Sequence, residues 1–343
     1  MTDRFVVTAS PHLKGPASTP VIMWNVVGSL VPIIIASAWF FGISALLVIG
    51  AATLGAVGTE AAFGRRKSTL DGSAAITGLL LGLTLPAGLP LWIAFLGGAF
   101  GIGLGKIVFG GLGYNIFNPA LLARAFLMAA FPSALTTWPA MGGSFFQLRG
   151  DNFALPLMRP DLDFITGATP LGLMKFEGTS TEIRELMIGS TSGSVGETAG
   201  ILILICGGYL ALRRFLDWRI PASIFLTVAV LSAAIRMIKP DAPGPMFMLF
   251  SGGLMLGAVY MATDLVTSPI TKKGRWIFGA GIGVIVVVIR LWGGLPEAVM
   301  YSILLMNAMV PFINKATQPR VFGTGKSIQA PAAPAVAGSG VKR

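Results

Sequence analysis

Apolar residues run through this chain in blocks rather than in alternation. Long oily stretches fill residues 21 to 135 and 197 to 313, each cut by short polar interruptions, and 136 to 196 is the one extended polar interval. A helix needs about 20 mostly apolar residues to cross a bilayer, and shorter spans are tolerated inside a bundle. On that rule the pattern predicts ten spans, at roughly 21–40, 43–62, 72–86, 91–110, 119–135, 197–212, 219–237, 245–262, 275–290 and 294–313. Gly and Pro shorten or interrupt several of them, notably 72–86 and 119–135, so eight or nine spans also satisfy the pattern. The remaining segments are a polar start, 1–20, and a tail, 314–343, whose Ala- and Pro-rich run Ala330–Ala335 reads as disordered.

Composition agrees with an all-α integral membrane protein. Of the 343 residues 54% are hydrophobic and 11% charged, far from the balance of a soluble domain. A net charge of +11 could serve nucleic acid, but basic residues flanking membrane spans explain it more simply, and no nucleic-acid partner is expected. A single cysteine, Cys206, and a single histidine, His12, exclude a self-contained disulfide framework, a Cys/His zinc site and a four-cysteine iron–sulfur cluster. Any redox centre is therefore organic or shared with another chain. Residues 1–20 lack an apolar stretch before a cleavage site, so the first span reads as an uncleaved anchor.

The basic residues also predict orientation. With both termini in the cytoplasm, the inner segments hold seventeen of the 25 Lys and Arg, including Arg65, Arg66 and Lys67, Arg213, Arg214 and Arg219, and Lys272, Lys273 and Arg275. Ten spans then place 136–196 on the periplasmic or outer side of a bacterial plasma membrane. This interval mixes acidic and basic residues and is rich in Gly, Ser and Thr around 178–196, which suggests a loop with short helices.

The two oily blocks echo each other. Phe95-Leu96-Gly97-Gly98 matches Phe250-Ser251-Gly252-Gly253, Asn118-Pro119 follows one and Ser268-Pro269 the other, and Asp71 and Asp217 stand upstream. Five spans per block would make the copies an inverted repeat, 21–135 against 197–313. Gly97, Gly98, Gly101, Gly103, Gly105, Gly252, Gly253 and Gly257 supply the small surfaces that let helices approach closely in lipid. Charges at membrane depth are Glu60, Lys106, Arg124, Arg236, Asp264 and Arg290. Most lie close enough to a span end to snorkel, and Arg124 and Asp264, near the Pro breaks, stand out as functional candidates.

The candidate chemistry lies in the polar interval, at Asp163-Phe164-Ile165-Thr166-Gly167-Ala168-Thr169-Pro170. Read locally, this is a turn into a short helix, with Thr166 or Thr169 as cap and Pro170 at the first helical position. The pattern Asp-x-x-Thr-Gly-Ala-Thr also resembles the acceptor motif of flavin transferases, which join FMN through its phosphate to the last hydroxyl, here Thr169. By average residue usage a chain of this length matches it by accident in about one of several hundred cases.

Further residues carry a wider resemblance: Ser10-Pro11-His12, Asp71-Gly72-Ser73-Ala74, Thr77-Gly78-Leu79-Leu80-Leu81-Gly82, Gly110-Gly111-Leu112-Gly113-Tyr114-Asn115-Ile116-Phe117-Asn118-Pro119-Ala120 and Thr166-Gly167-Ala168-Thr169-Pro170-Leu171. Together they resemble the D subunit of the Rnf electron-transport complex and its homologue, the B subunit of the sodium-translocating NADH:quinone reductase. The short N-terminal segment favours the former. The resemblance implies about ten helices in two inverted five-helix repeats, as in urea channels, and FMN bound covalently to Thr169, with Asp163, Thr166, Gly167 and Ala168 around it. It also admits a non-covalent riboflavin, whose contacts it does not place. No catalytic residue and no metal ligand of the chain's own follows from it. The implied partners are the A, B, C, E and G type subunits of the complex, a flavin transferase and the lipid bilayer. The implied role is electron relay between ferredoxin and NAD, coupled to Na⁺ or H⁺ movement. A channel or secondary transporter without redox role is the competing expectation, since the repeat alone would favour it.

Overall fold

The computed structural model describes residues 18–64, 70–139, 142, 144–156, 167–197, 199–295 and 297–319. Among them the chain is helical, without a β-sheet. Five helices are long and apolar enough to cross a membrane: α1 (Thr19–Phe41), α2 (Ile43–Phe63), α10 (Arg219–Ile238), α13 (Lys272–Trp292) and α14 (Val299–Thr317). Four are shorter: α3 (Ser73–Leu83), α4 (Leu91–Ile102), which runs on as a π-helical turn Gly103–Ile107, α5 (Pro119–Ala130) and α9 (Gly200–Leu212). The predicted span at 245–262 is broken into α11 (Pro245–Phe250), α12 (Leu254–Leu256) and a second π-helical turn, Gly257–Met261. Short helices α6 (Pro132–Thr136), α7 (Pro170–Gly172) and α8 (Ile183–Ile188) belong to the connections.

Local chemistry sets the boundaries. Gly42 adopts φ +67°, turning α1 directly into α2, and its N–H reaches back to the Ala38 carbonyl. Asn118 caps α5, its side-chain oxygen accepting from the N–H groups of Ala120 and Leu121 at 3.0 and 3.3 Å, and Pro119 takes the first helical position. The predicted span 119–135 thus ends early, at Phe131, where Pro132 starts α6 on a new course.

Backbone approach governs the packing. In α2 and α4 a Cβ at Gly55 would lie 2.1 Å from the Phe95 carbonyl oxygen, and one at Gly98 would lie 2.1 Å from that of Ala52. Helix α13 meets α10 the same way, with a Cβ at Gly279 falling 2.7 Å from the Ile220 oxygen. Without a hydrophobic drive between helices in lipid, such contact supplies the cohesion through dispersion. Gly103, among the glycines expected to do this, is less tightly placed: a Cβ there would meet the Thr59 side chain in ordinary contact at 3.8 Å.

The third element of each block is interrupted inside the bundle. After α3 the chain runs non-helically and buried from Thr84 to Leu89. Its carbonyls are taken up by other segments. Arg124 donates to Thr84, the Gly196 and Val195 N–H groups to Leu83 and Leu85, and the Asn152 side chain to Ala87 and Leu89. In the second block Arg290 donates to the Met248 and Ser251 carbonyls at the break after α11. Irregular backbone within a membrane bundle requires such internal partners. The sequence echoes, by contrast, fall on unlike elements. Phe95–Gly98 is continuous helix in α4, whereas Phe250–Gly253 is the break between α11 and α12.

Candidate functional site

Gly167, Ala168 and Thr169 are placed at the start of a short helical run, and Asp163 and Thr166 lie outside the described residues. The Gly167 N–H donates to the Trp138 carbonyl at 2.8 Å. Thr169 is the cap of α7, its Oγ1 accepting from the Gly172 N–H at 3.1 Å, with Pro170 at the first helical position. The local reading of the motif is therefore what the backbone does. No donated bond from the Thr169 hydroxyl occurs among the described residues, and Ala168 beside it is exposed. An ester at this oxygen would keep the lone pair that holds Gly172, so the residues fit a covalently attached phosphate.

Two contacts fix this segment. Leu171 is buried, with its Cδ1 2.5 Å from where a Cβ of Gly252 would be; Gly252 has φ +64°, so the socket depends on glycine twice over. Four residues on, the Lys175 ammonium donates to the carbonyls of Gly293, Leu295 and, at 3.5 Å, Ile289, at and just beyond the C-terminal end of α13. Desolvation there lowers the Lys175 pKa below its usual value.

Leu171 also borders a small cavity in which Arg124, Glu197, Arg290 and Glu297 converge. Arg124, 5% exposed, is paired with Glu297. The Arg290 side chain is equally enclosed, its Nε without a partner among the described residues. Arg124 was legible as a candidate; Glu197 and Glu297 were missed. Their signal was an acid in the first turn of each of two predicted spans, which also reads as an ordinary dipole partner.

A larger cavity opens at the end of the bundle that gathers Ile22, Ser73, Lys106, Pro119 and Leu216. Asn115, Asn118, Tyr260 and Asp264 line it too. Asp264 accepts from the Val266 N–H at 3.3 Å and the Thr267 hydroxyl at 3.1 Å, which shapes a turn rather than leaving a carboxylate in the open. Lys106 does not snorkel. It is 3% exposed, paired with Glu60 and donating to the Ser73 hydroxyl, with Asp71 at 3.9 Å. Glu60 and Arg290 are likewise buried, and of the charges read as snorkelling only Arg236 is exposed. Between the two cavities Asn118 donates to the Met261 carbonyl at 3.1 Å, and Asn307 accepts from the Asn118 N–H and donates to the Thr267 carbonyl.

Residues 6–323 match the model of the NQR2, RnfD, RnfE family. The chain belongs to this family. Among its relatives is the D subunit of the proton-translocating ferredoxin:NAD(+) oxidoreductase complex of Clostridium ljungdahlii, 39% identical over 93% of this chain and 96% of that protein. The D subunit of the Na(+)-translocating ferredoxin:NAD(+) oxidoreductase complex of Acetobacterium woodii is 38% identical over 94% and 96%. The D subunit of the ion-translocating oxidoreductase complex of Stutzerimonas stutzeri is 42% identical over 88% and 91%. Membership accounts for the apolar helices and the buried polar breaks together: members with these names work in membrane complexes that move ions.

Proposed function

We propose that this chain is the D subunit of an ion-translocating ferredoxin:NAD oxidoreductase complex in the bacterial plasma membrane, carrying FMN on Thr169. The observation that carries the flavin reading is the Thr169 hydroxyl, held at the head of α7 with its proton undonated among the described residues and preceded by the small, exposed Ala168. When bound, the flavin supplies the electron-transfer chemistry. The chain fixes its attachment point: Gly172 orients the ester oxygen, and Leu171 and Lys175 hold the segment to α13 and the α11–α12 break. The larger cavity is the place for a second, non-covalent flavin. The unpartnered Oδ1 of Asn115 is a buried acceptor there for a ring N–H, in a mostly apolar lining with a few polar groups.

The same reading gives ten crossings in two five-helix repeats. Supporting it, α2 packs on α3 and α4 and α4 on α5, while α10 packs on α11 and α13 and α13 on α14. These three pairings recur in the same order in both blocks. Basic residues at one set of helix ends support an outside position for Thr169. Partners are the other subunits of the complex and a flavin transferase.

Mass spectrometry of the Thr169 peptide from protein matured with its transferase tests the proposal. An added FMN is expected, with fluorescence that stays with the chain on a denaturing gel and vanishes in Thr169→Ala. A bare Thr169 in fully matured protein overturns it. For the topology, Ala168→Cys in a Cys206→Ser background should react with an impermeant maleimide added from outside the cell membrane.

A further inference from the structure

The acceptor oxygen is poorly placed for the reaction that would load it. Forming the ester requires Thr169 Oγ1 to attack the FMN-side phosphorus of a flavin dinucleotide. The new P–O bond forms as the phosphoanhydride breaks, AMP leaves, and the hydroxyl proton passes to a base of the transferase. In-line attack needs an enzyme wrapped closely around the nucleophile. Here Thr169 is only 9% exposed, its oxygen is engaged by Gly172, and the segment is fastened on both sides, by Gly167 to Trp138 and by Leu171 and Lys175 to the helical core.

Resting on the flavin reading, we propose that Leu171 and Lys175 are positioning residues forming a two-point seat, and that flavin is attached before this seat closes. The seat has the features of a latch. Leu171 enters a socket that only a glycine at position 252 leaves open. Lys175 is one flexible side chain bonded to three carbonyls at a helix end, a charge-assisted contact. Both contacts are made by residues immediately after the acceptor, so closing them withdraws the hydroxyl and sets the flavin's place in one movement. Once loaded and seated, the ester is held against hydrolysis by the same burial that blocks its formation.

The test uses the whole complex, purified from cells lacking the transferase and then given purified transferase, flavin adenine dinucleotide and Mg²⁺. Covalent flavin per chain is followed by gel fluorescence and peptide mass. The assembled wild type is expected to load slowly, Lys175→Glu faster by on the order of tenfold or more, since losing charged hydrogen bonds shifts a two-state equilibrium by at least that factor. Lys175→Arg, which keeps the donors, should load like wild type. Gly252→Ala, which fills the socket, should load faster if it assembles. Equal, complete loading of wild type and Lys175→Glu would overturn the order of events and the seat. Absence of flavin from Thr169 even in protein matured with the transferase would instead overturn the flavin reading beneath it.

Discussion

Replacing Gly98 with alanine adds one methyl group at one of the two closest points of the α2–α4 contact. That carbon would sit 2.1 Å from the Ala52 carbonyl oxygen and 2.8 Å from the Ala56 nitrogen. Both are backbone atoms of a helix, so no side-chain rotation relieves the overlap, and the helices must part by roughly 1 Å to restore van der Waals separation. Overpacking of this kind costs about 1–3 kcal/mol, and a backbone-on-backbone clash belongs at the upper end. Alanine's better helix propensity returns about 1 kcal/mol, leaving a net loss of about 2 kcal/mol. Gly58, in the facing helix α2, provides the control, because nothing lies within 4 Å of a Cβ there. Gly58→Ala should gain up to about 1 kcal/mol, so the two variants should differ by about 3 kcal/mol, or roughly a hundredfold in a folding equilibrium. Titration of the detergent-solubilised protein with SDS, read by tryptophan fluorescence, measures the difference. Should Gly98→Ala unfold at the same SDS fraction as Gly58→Ala or later, close backbone approach is not what holds these helices.

Two further perturbations probe the polar interior. Arg124→Leu strands Glu297 and frees the Thr84 carbonyl, and Glu297→Leu strands Arg124, so each alone should cost about 3–5 kcal/mol. The double substitution should lose clearly less than the sum in an unfolding cycle, and additivity would show that the pair is not coupled. Asn118→Ala removes the α5 cap and the bond to Met261, for a loss of about 1–2 kcal/mol from the cap alone. Asn118→Asp retains the cap acceptor but cannot donate to Met261, so it should fall between wild type and alanine in the same titration.

Several features were legible from local sequence. Thr169-Pro170 reads as a capping residue before a first-turn proline, and it is, because a cap depends only on residues within one turn; Asn118-Pro119, read only as a polar-Pro step, has the same pairing and caps α5. Blocks of apolar residues announced the long helices α1, α2, α10, α13 and α14 for the same reason: the bilayer imposes its demand on each segment separately. The breaks were harder. Gly and Pro marked 72–86 as irregular, but where α3 ends at Leu83 depends on donors at Arg124, Asn152, Val195 and Gly196, all far along the chain.

The amino-acid order by itself determined that the chain is helical and built for lipid, which end of its helices is basic, and that Thr169 heads a short capped turn. Only the tertiary structure decided what the buried charges do. Lys106 reading as a snorkelling cation and Lys106 held by Glu60 and Ser73 are the same sequence, and so are a lone Arg124 and one paired with Glu297 across 173 positions. A side chain's hydrophobicity acts wherever it stands, whereas the partner of a charge is fixed by which helices pack together.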